Sequence, residues 1–388
     1  MNPSGLSNEV LLASALRGEA GALPPACDRP EAIAELVEAA IYHGVAGLLL
    51  EREVQRSWPA ELVEALAAQA RAQAMWEMRH REVLAILLAA FAEHSIRAFL
   101  MKGTAIAYDL YRNPSARARG DTDLLIAADD VPRAKALLSR LGYAEGVLGG
   151  VDAEFALQQP WILTLADGTG HSIDLHWQVM NAPSLKDILS FAECDANARA
   201  LPQLSPDARA MDRVRLLIHT CLHRAVHRNT PYFVNHVAYY GSGRLIWTHD
   251  IHLLASAFDD AQWSLFCALS KEKRVSRICR EGLLEARAKL GTTVSGDILD
   301  DLERSSGNDR SSSYLVQSTA MARAWQDFRA TAGLRSKMRY ARARIWPDPR
   351  FVRAKYPGMS NASLPLLYLR RLLALIRSSS GSRHVDAD

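Results

Sequence analysis

Arg117-Ala-Arg-Gly-Asp-Thr-Asp-Leu-Leu-Ile126 is the stretch on which the fold turns. Its second half, Asp121 to Ile126, reads as a strand, and because strand side chains alternate between faces, Asp121 and Asp123 point to the same side. Two like charges that close repel. Either one carboxylate keeps its proton or divalent cations sit between them. Upstream, Arg97 to Met101 is a short apolar run that enters a turn at Lys102-Gly103. A helix from Thr104 to Tyr111 follows and closes at Asn113-Pro114, where proline discourages continuation. Downstream, Asp129-Asp130 offers a cap, Pro132 suits a first helical turn, and Val131 to Leu141 keeps helical spacing up to Gly142. Two further strands, Trp161 to Leu165 and Ser172 to Val179, are joined by Ala-Asp-Gly-Thr-Gly-His, a hairpin signal. These elements predict a small mixed sheet between Arg97 and Val179.

The later strand adds a third acid. Asp174, His176 and Gln178 alternate with Ile173, Leu175 and Trp177, so one face is polar and the other apolar, with Trp177 expected in the core. If the polar face is the one bearing Asp121 and Asp123, three carboxylates converge. Three hard oxygen donors suit Mg2+, and two such ions about 4 Å apart clamp the attacking and leaving oxygens of a phosphoryl displacement. A triphosphate also needs a cradle. Lys102, Gly103 and Thr104, at a strand-to-helix turn, supply charge, close backbone approach and free amides. His176 lies roughly 6.5–7 Å along the strand from Asp174. It is a metal neighbour or proton carrier in one reading and a hydrogen-bonded structural histidine in the other.

Taken together, Phe99-Leu-Met-Lys-Gly-Thr104, Arg117-Ala-Arg-Gly-Asp-Thr-Asp-Leu-Leu-Ile126 and Ile173-Asp-Leu-His-Trp177 resemble the three blocks of the bacterial "uncharacterised nucleotidyltransferase" family, within the superfamily that includes DNA polymerase beta. The resemblance implies an α+β fold in which a small mixed-sheet core is flanked by N-terminal and C-terminal helical regions. It implies a Mg2+-dependent transfer of a nucleoside monophosphate from a triphosphate such as ATP to an acceptor hydroxyl, with pyrophosphate leaving. Asp121 and Asp123 would hold both metals, Asp174 would complete the catalytic metal site, and Gly103 and Thr104 would bind the β- and γ-phosphates. The longer spacer between Thr104 and Asp121 puts Arg117 and Arg119 near the mouth, where they would meet triphosphate oxygens.

Around this core, 388 residues, 49% apolar and 23% charged, exclude wholesale disorder and allow two or three packed units. The expected division is a helical region over 1–94, the core over 95–182, a helical region completing the cleft over 183–304, a basic helical region over 305–377 and a loose tail over 378–388. The longest nearly uncharged apolar run, Val83 to Ala92, is about half of what a spanning helix needs, and no secretory signal opens the chain, so a cytoplasmic location is expected. Five scattered cysteines without a Cys-x-x-Cys pair argue for reduced thiols. His219, His223 and His227 form a helical stripe, but Thr220 stands where a zinc protease needs glutamate, so a polar seam is expected there. Asp250 either reaches the nucleotide or forms a salt bridge.

Residues 321–355 interleave basic and aromatic side chains, a composition that grips nucleic acid or forms a solvated helix face. The amphipathic Leu364 to Arg377 packs on the body or lies on a membrane surface. The favoured acceptor is a small molecule or peptide. The alternatives are an inert nucleotide-sensing module and a toxin-like transferase acting on RNA or protein.

Overall fold

A computed structural model of the chain describes residues 7–19, 29–52, 57–146, 156–234, 237–317, 319–347, 349, 352–353, 356–359 and 362–380. The Pro24-Pro25 break, Cys27 and the end of the tail lie outside them. The chain opens with helices α1 (Asn8–Leu16), α2 (Pro30–His43), α3 (Ala46–Leu50) and α4 (Ala60–Glu93). Pro30 begins α2, where its missing amide costs nothing, and Gly44 ends it with φ of 72°, a left-handed cap that glycine adopts without strain. On α4, Leu62, Leu66, His80, Leu84, Leu87 and Phe91 are buried at three- and four-residue multiples, so one stripe of a helix about 50 Å long faces the interior.

The sheet then forms. Strand β1 (Ala98–Leu100) leads into α5 (Lys102–Leu110), β2 (Thr122–Ile126) into α6 (Val131–Arg140), and β3 (Ala144–Glu145), β4 (Gln158–Thr164) and β5 (Gly170–His176) follow. After α7 (Phe191–Ala196) come β6 (Arg199–Ala200) and β7 (Arg209–Ala210). The seven strands lie in the order β3-β4-β5-β2-β1-β7-β6. Antiparallel pairing joins β1 to β2 and β4 to β5, while β2 and β5 run parallel with Asp123 opposite Asp174. All five residues of β2 are buried, as expected of a central strand covered on both faces. The β4–β5 hairpin turns through Gly168, whose φ of 81° suits glycine.

Two differences from the sequence reading concern this sheet. It does not end at Val179, because β7 pairs with β1 at Leu100 and Ala210 and carries β6 beyond it. Two-residue strands are too short for a period-two pattern to register. Second, β5 stops at His176, so Trp177 is only partly buried and lies under Lys135, whose Nζ is 5.8 Å from the ring centroid.

Helices α8 (Arg213–Val226), α9 (Leu245–Ser256), α10 (Asp260–Glu272), α11 (Ser276–Leu290) and α12 (Gly296–Ser305) build the helical side, with a small hairpin, β8 (Tyr232–Val234) and β9 (Val237–Tyr239), between the first two. One apolar core runs from α1 to Leu315 through both sheet and helices. Helices at Ala320–Ala330, Leu334–Ile345 and Leu364–Ser380 complete the chain. This is an α+β architecture. Cys194, Cys221, Cys267 and Cys279 are free thiols, and among the described residues no helix is long and apolar enough to cross a membrane.

Candidate active site

The site begins where β1 runs into α5. The Met101 amide donates to the carbonyl of Asp123 at 3.0 Å, which fixes the end of β1 against β2. Lys102 then turns the chain with φ of 49°, a left-handed conformation that costs a non-glycine residue about 1–2 kcal/mol. The turn sends its side chain onto β2, where Nζ donates to Oδ1 of Asp123. Parallel register sets Asp174 beside Asp123, and strand alternation puts His176 on the same face. One ligand atom from each of Asp123, Asp174 and His176 lies within 4.8 Å of the others. The His176 Nε2 to Asp123 Oδ1 distance is 2.9 Å, so this nitrogen carries the donated proton.

Electrostatics separate the three acids. Although desolvation opposes it, the charge of Lys102 and the hydrogen bonds from His176 and Lys102 hold Asp123 far below the usual carboxylate range. Asp174, desolvated and close to the negative charges of Asp123 and Asp121, is pushed up to about 7, and the amide of Gln158 donates to its Oδ2 at 3.4 Å. Asp121 is exposed at the head of β2, with its carboxyl turned toward the other acids. Desolvation there, and then the charge of Asp123, raises its carboxyl to about 6. It adjoins the group of Asp123, Asp174 and His176 without belonging to it. Three carboxylates thus face one ammonium, with Asp123 ionised and Asp174 titrating near neutrality, so the acids outnumber the cation.

The remaining cradle residues are placed differently from the sequence reading. Thr104 is buried and its hydroxyl is 2.9 Å from that of Thr122, which is also 2.7 Å from Nε2 of His80, so its side chain points into the core. Gly103 is needed for another neighbour: a Cβ there would stand 2.7 Å from Cζ of Arg117, whose guanidinium lies flat against the glycine. Arg117 is itself buried, pairing with Asp250 on α9 at 2.6 Å, while Tyr111 donates to the same carboxylate at 2.7 Å. Arg119 is equally committed, with Glu77 of α4 at 2.5 Å and Tyr108 donating to Glu77 at 2.5 Å. Instead of meeting phosphate at the mouth, both arginines cross-brace the core to helices. The salt-bridge reading of Asp250 holds. Glu77 was missed, and the sequence signal for it was an acid on the apolar stripe of α4.

The histidine stripe of α8 is the expected seam, and it starts at the site. His219 is buried, and desolvation followed by the charge of Lys102 lowers it to about 3. Farther along, Nε2 of His223 and His227 are 3.1 Å apart, and the His227 ring stacks on Trp247 at 4.9 Å.

With this geometry in view, residues 29–291 match the family described as uncharacterised nucleotidyltransferase, and the chain belongs to that family. It is accordingly an enzyme of nucleotidyl transfer. No curated protein matches the sequence. The family implies a nucleoside triphosphate and usually a divalent metal, and the residues fit the metal: the carboxylates of Asp123 and Asp174, with His176 within 4.8 Å of both, make a compact group of oxygen donors where acids outnumber the one ammonium.

Proposed function

We propose that the protein transfers a nucleoside monophosphate from a triphosphate to a hydroxyl of a small molecule or peptide, with Mg2+ held by Asp123 and Asp174 and reached by Asp121. The observation that carries this reading is the register pairing of Asp123 with Asp174 beside the Lys102 turn. Bound Mg2+ would offset the charge of the triphosphate and acidify the acceptor hydroxyl. His176 orients the Asp123 carboxylate through its hydrogen bond. Lys102 pairs with Asp123; were that carboxylate to hold a metal, the ammonium would be free to meet phosphate oxygens. The amides of Gly103 and Thr104, at the start of α5, face the β- and γ-phosphates as backbone donors. The acceptor oxygen attacks the α-phosphorus, its proton passes to Asp174, and the bond to the bridging oxygen breaks to release pyrophosphate. In this reading residues 95–182 are the catalytic core, 183–304 complete the cleft, and Arg117 and Arg119 hold the core against the helices.

The test combines binding and turnover. Each of the four nucleoside triphosphates with Mg2+ is expected to be screened by thermal shift, and at least one raises the melting temperature. Pyrophosphate release in the presence of candidate acceptors then falls to background in Asp174→Asn. Binding without pyrophosphate release from any acceptor identifies a sensor instead; full turnover in a folded Asp174→Asn variant ends the proposal.

A further inference from the structure

Charge is distributed unevenly along the chain: residues 321–377 carry 13 Lys and Arg against 2 acidic residues, while the rest carries 33 against 41. The helices of this basic end are anchored from inside. Asp327 is buried, accepts from Tyr314 at 2.8 Å and from the Ser184 amide at 3.1 Å, and so ties Ala320–Ala330 to the body. Leu364–Ser380 is anchored in turn through buried Leu367 and through Arg371, which donates to the carbonyl of Arg344 at 2.7 Å. A helix of a globular protein that has buried one stripe usually turns a polar face to water. Here each helix instead exposes apolar side chains. On Leu334–Ile345, Leu334 and Met338 are 74% and 66% exposed at four-residue spacing, flanked by exposed Arg335 and Arg342. On Ala320–Ala330, Met321 and Trp325 are both 59% exposed. Along Leu364–Ser380, Leu366, Leu369 and Leu373 line up at three- and four-residue steps with exposed Arg370 among them.

We infer that this basic end docks the enzyme on the surface of an anionic phospholipid bilayer, with the leucine and methionine side chains entering the acyl boundary and the arginines meeting phosphate headgroups. Exposed apolar side chains interleaved with arginine are the composition of interfacial helices, and the negative remainder of the chain orients this end toward an anionic surface. Nucleic acid fits less well. Its recognition uses free aromatic faces, whereas Trp325 and Phe328 stack on one another at 5.4 Å with Lys337 over Phe328, and apart from Trp325 and Trp346 the exposed apolar set is leucine, isoleucine and methionine. The docking is peripheral, since no described helix can span.

The test is sedimentation of the full chain with vesicles of phosphatidylcholine alone and with vesicles containing about a third phosphatidylglycerol, a composition whose surface attracts basic segments. The chain is expected to pellet with the anionic vesicles only, and less so as salt rises. L366E/L369E/L373E lowers the bound fraction at least about ten-fold, and R335E/R342E lowers it about five-fold per position. Because these side chains face solvent, the variants should keep the wild-type circular dichroism and melting temperature. Should a variant fail to fold, the contrast between the two vesicle types for the wild-type chain still decides. The inference is overturned if the wild-type chain ignores anionic vesicles, if the folded leucine variant pellets like wild type, or if an RNA oligonucleotide retains the chain while vesicles do not. A halving of the solution mass in the leucine variant, with no vesicle binding by the wild type, would instead assign the face to a second copy.

Discussion

Two ion pairs flank Gly103, and they are built in opposite ways. Lys102 and Asp123 form one of them, on a long flexible stem with the lysine side chain 20% exposed and the carboxylate also held by His176. Arg117 and Asp250 form the other, with side chains 8% and 2% exposed, a guanidinium flat on the Gly103 backbone and Tyr111 closing the carboxylate. The first borders solvent through its lysine, whose flexible stem lets the ammonium swing away. The second has no such freedom, because every direction is packed. A charge pair at a site and a charge pair in a scaffold are therefore told apart by access and by what else the carboxylate serves.

The sharpest way to break that contrast is Arg117→Ala. It strands Asp250 without a cation in the interior and opens a gap above Gly103, so unfolding in urea should show a loss of about 3–5 kcal/mol. A loss below about 1 kcal/mol would mean that the pair is not a clamp. Asp123→Asn should do the reverse, lowering nucleotidyl transfer by about a thousand-fold while the melting temperature moves by only a few degrees. Lys102→Ala comes next. With the ammonium gone, three acids face one another and the metal-free chain should lose about 1–2 kcal/mol, regained on adding Mg2+; a loss that Mg2+ does not restore would count against metal binding at these acids.

The most gradual effect is a pH slope from the scaffold. Burial lowers His43, His171 and His227 to about 4. These rings are neutral when folded and take up protons on unfolding below pH 6.5, so stability is complete above that value and declines as pH falls toward 4. Each contributes about 1.4 kcal/mol per pH unit in that window. His43→Gln should flatten the thermal pH profile by one such increment, and an unchanged slope would show that His43 does not stay neutral in the fold.

Much of the site was legible because its signals are local. Asp121 and Asp123 by alternation, the hairpin before Asp174 by its Asp-Gly turn, and Lys102-Gly103 by its place between strand and helix each need only a few neighbours to be read. Arg117 and Arg119 were misplaced because an arginine at a cleft mouth and one buried as a brace look alike in sequence. Their partners, Asp250 and Glu77, lie 133 and 42 positions away. Only tertiary packing supplies that distance. The same applies to Gly103, whose missing side chain makes room for Arg117, and to the two-residue strands β7, which pairs with the edge of β1, and β6, which pairs with β7.

The backbone at Lys102 sets robustness against chemistry at a single position. Its left-handed φ is one that glycine adopts freely, so Lys102→Gly would relax the main chain while deleting the ammonium beside Asp123. Stabilising substitutions chosen by backbone preference alone would therefore remove the one ammonium that faces these acids, and under the proposed function directed evolution of sturdier variants should hold that residue fixed.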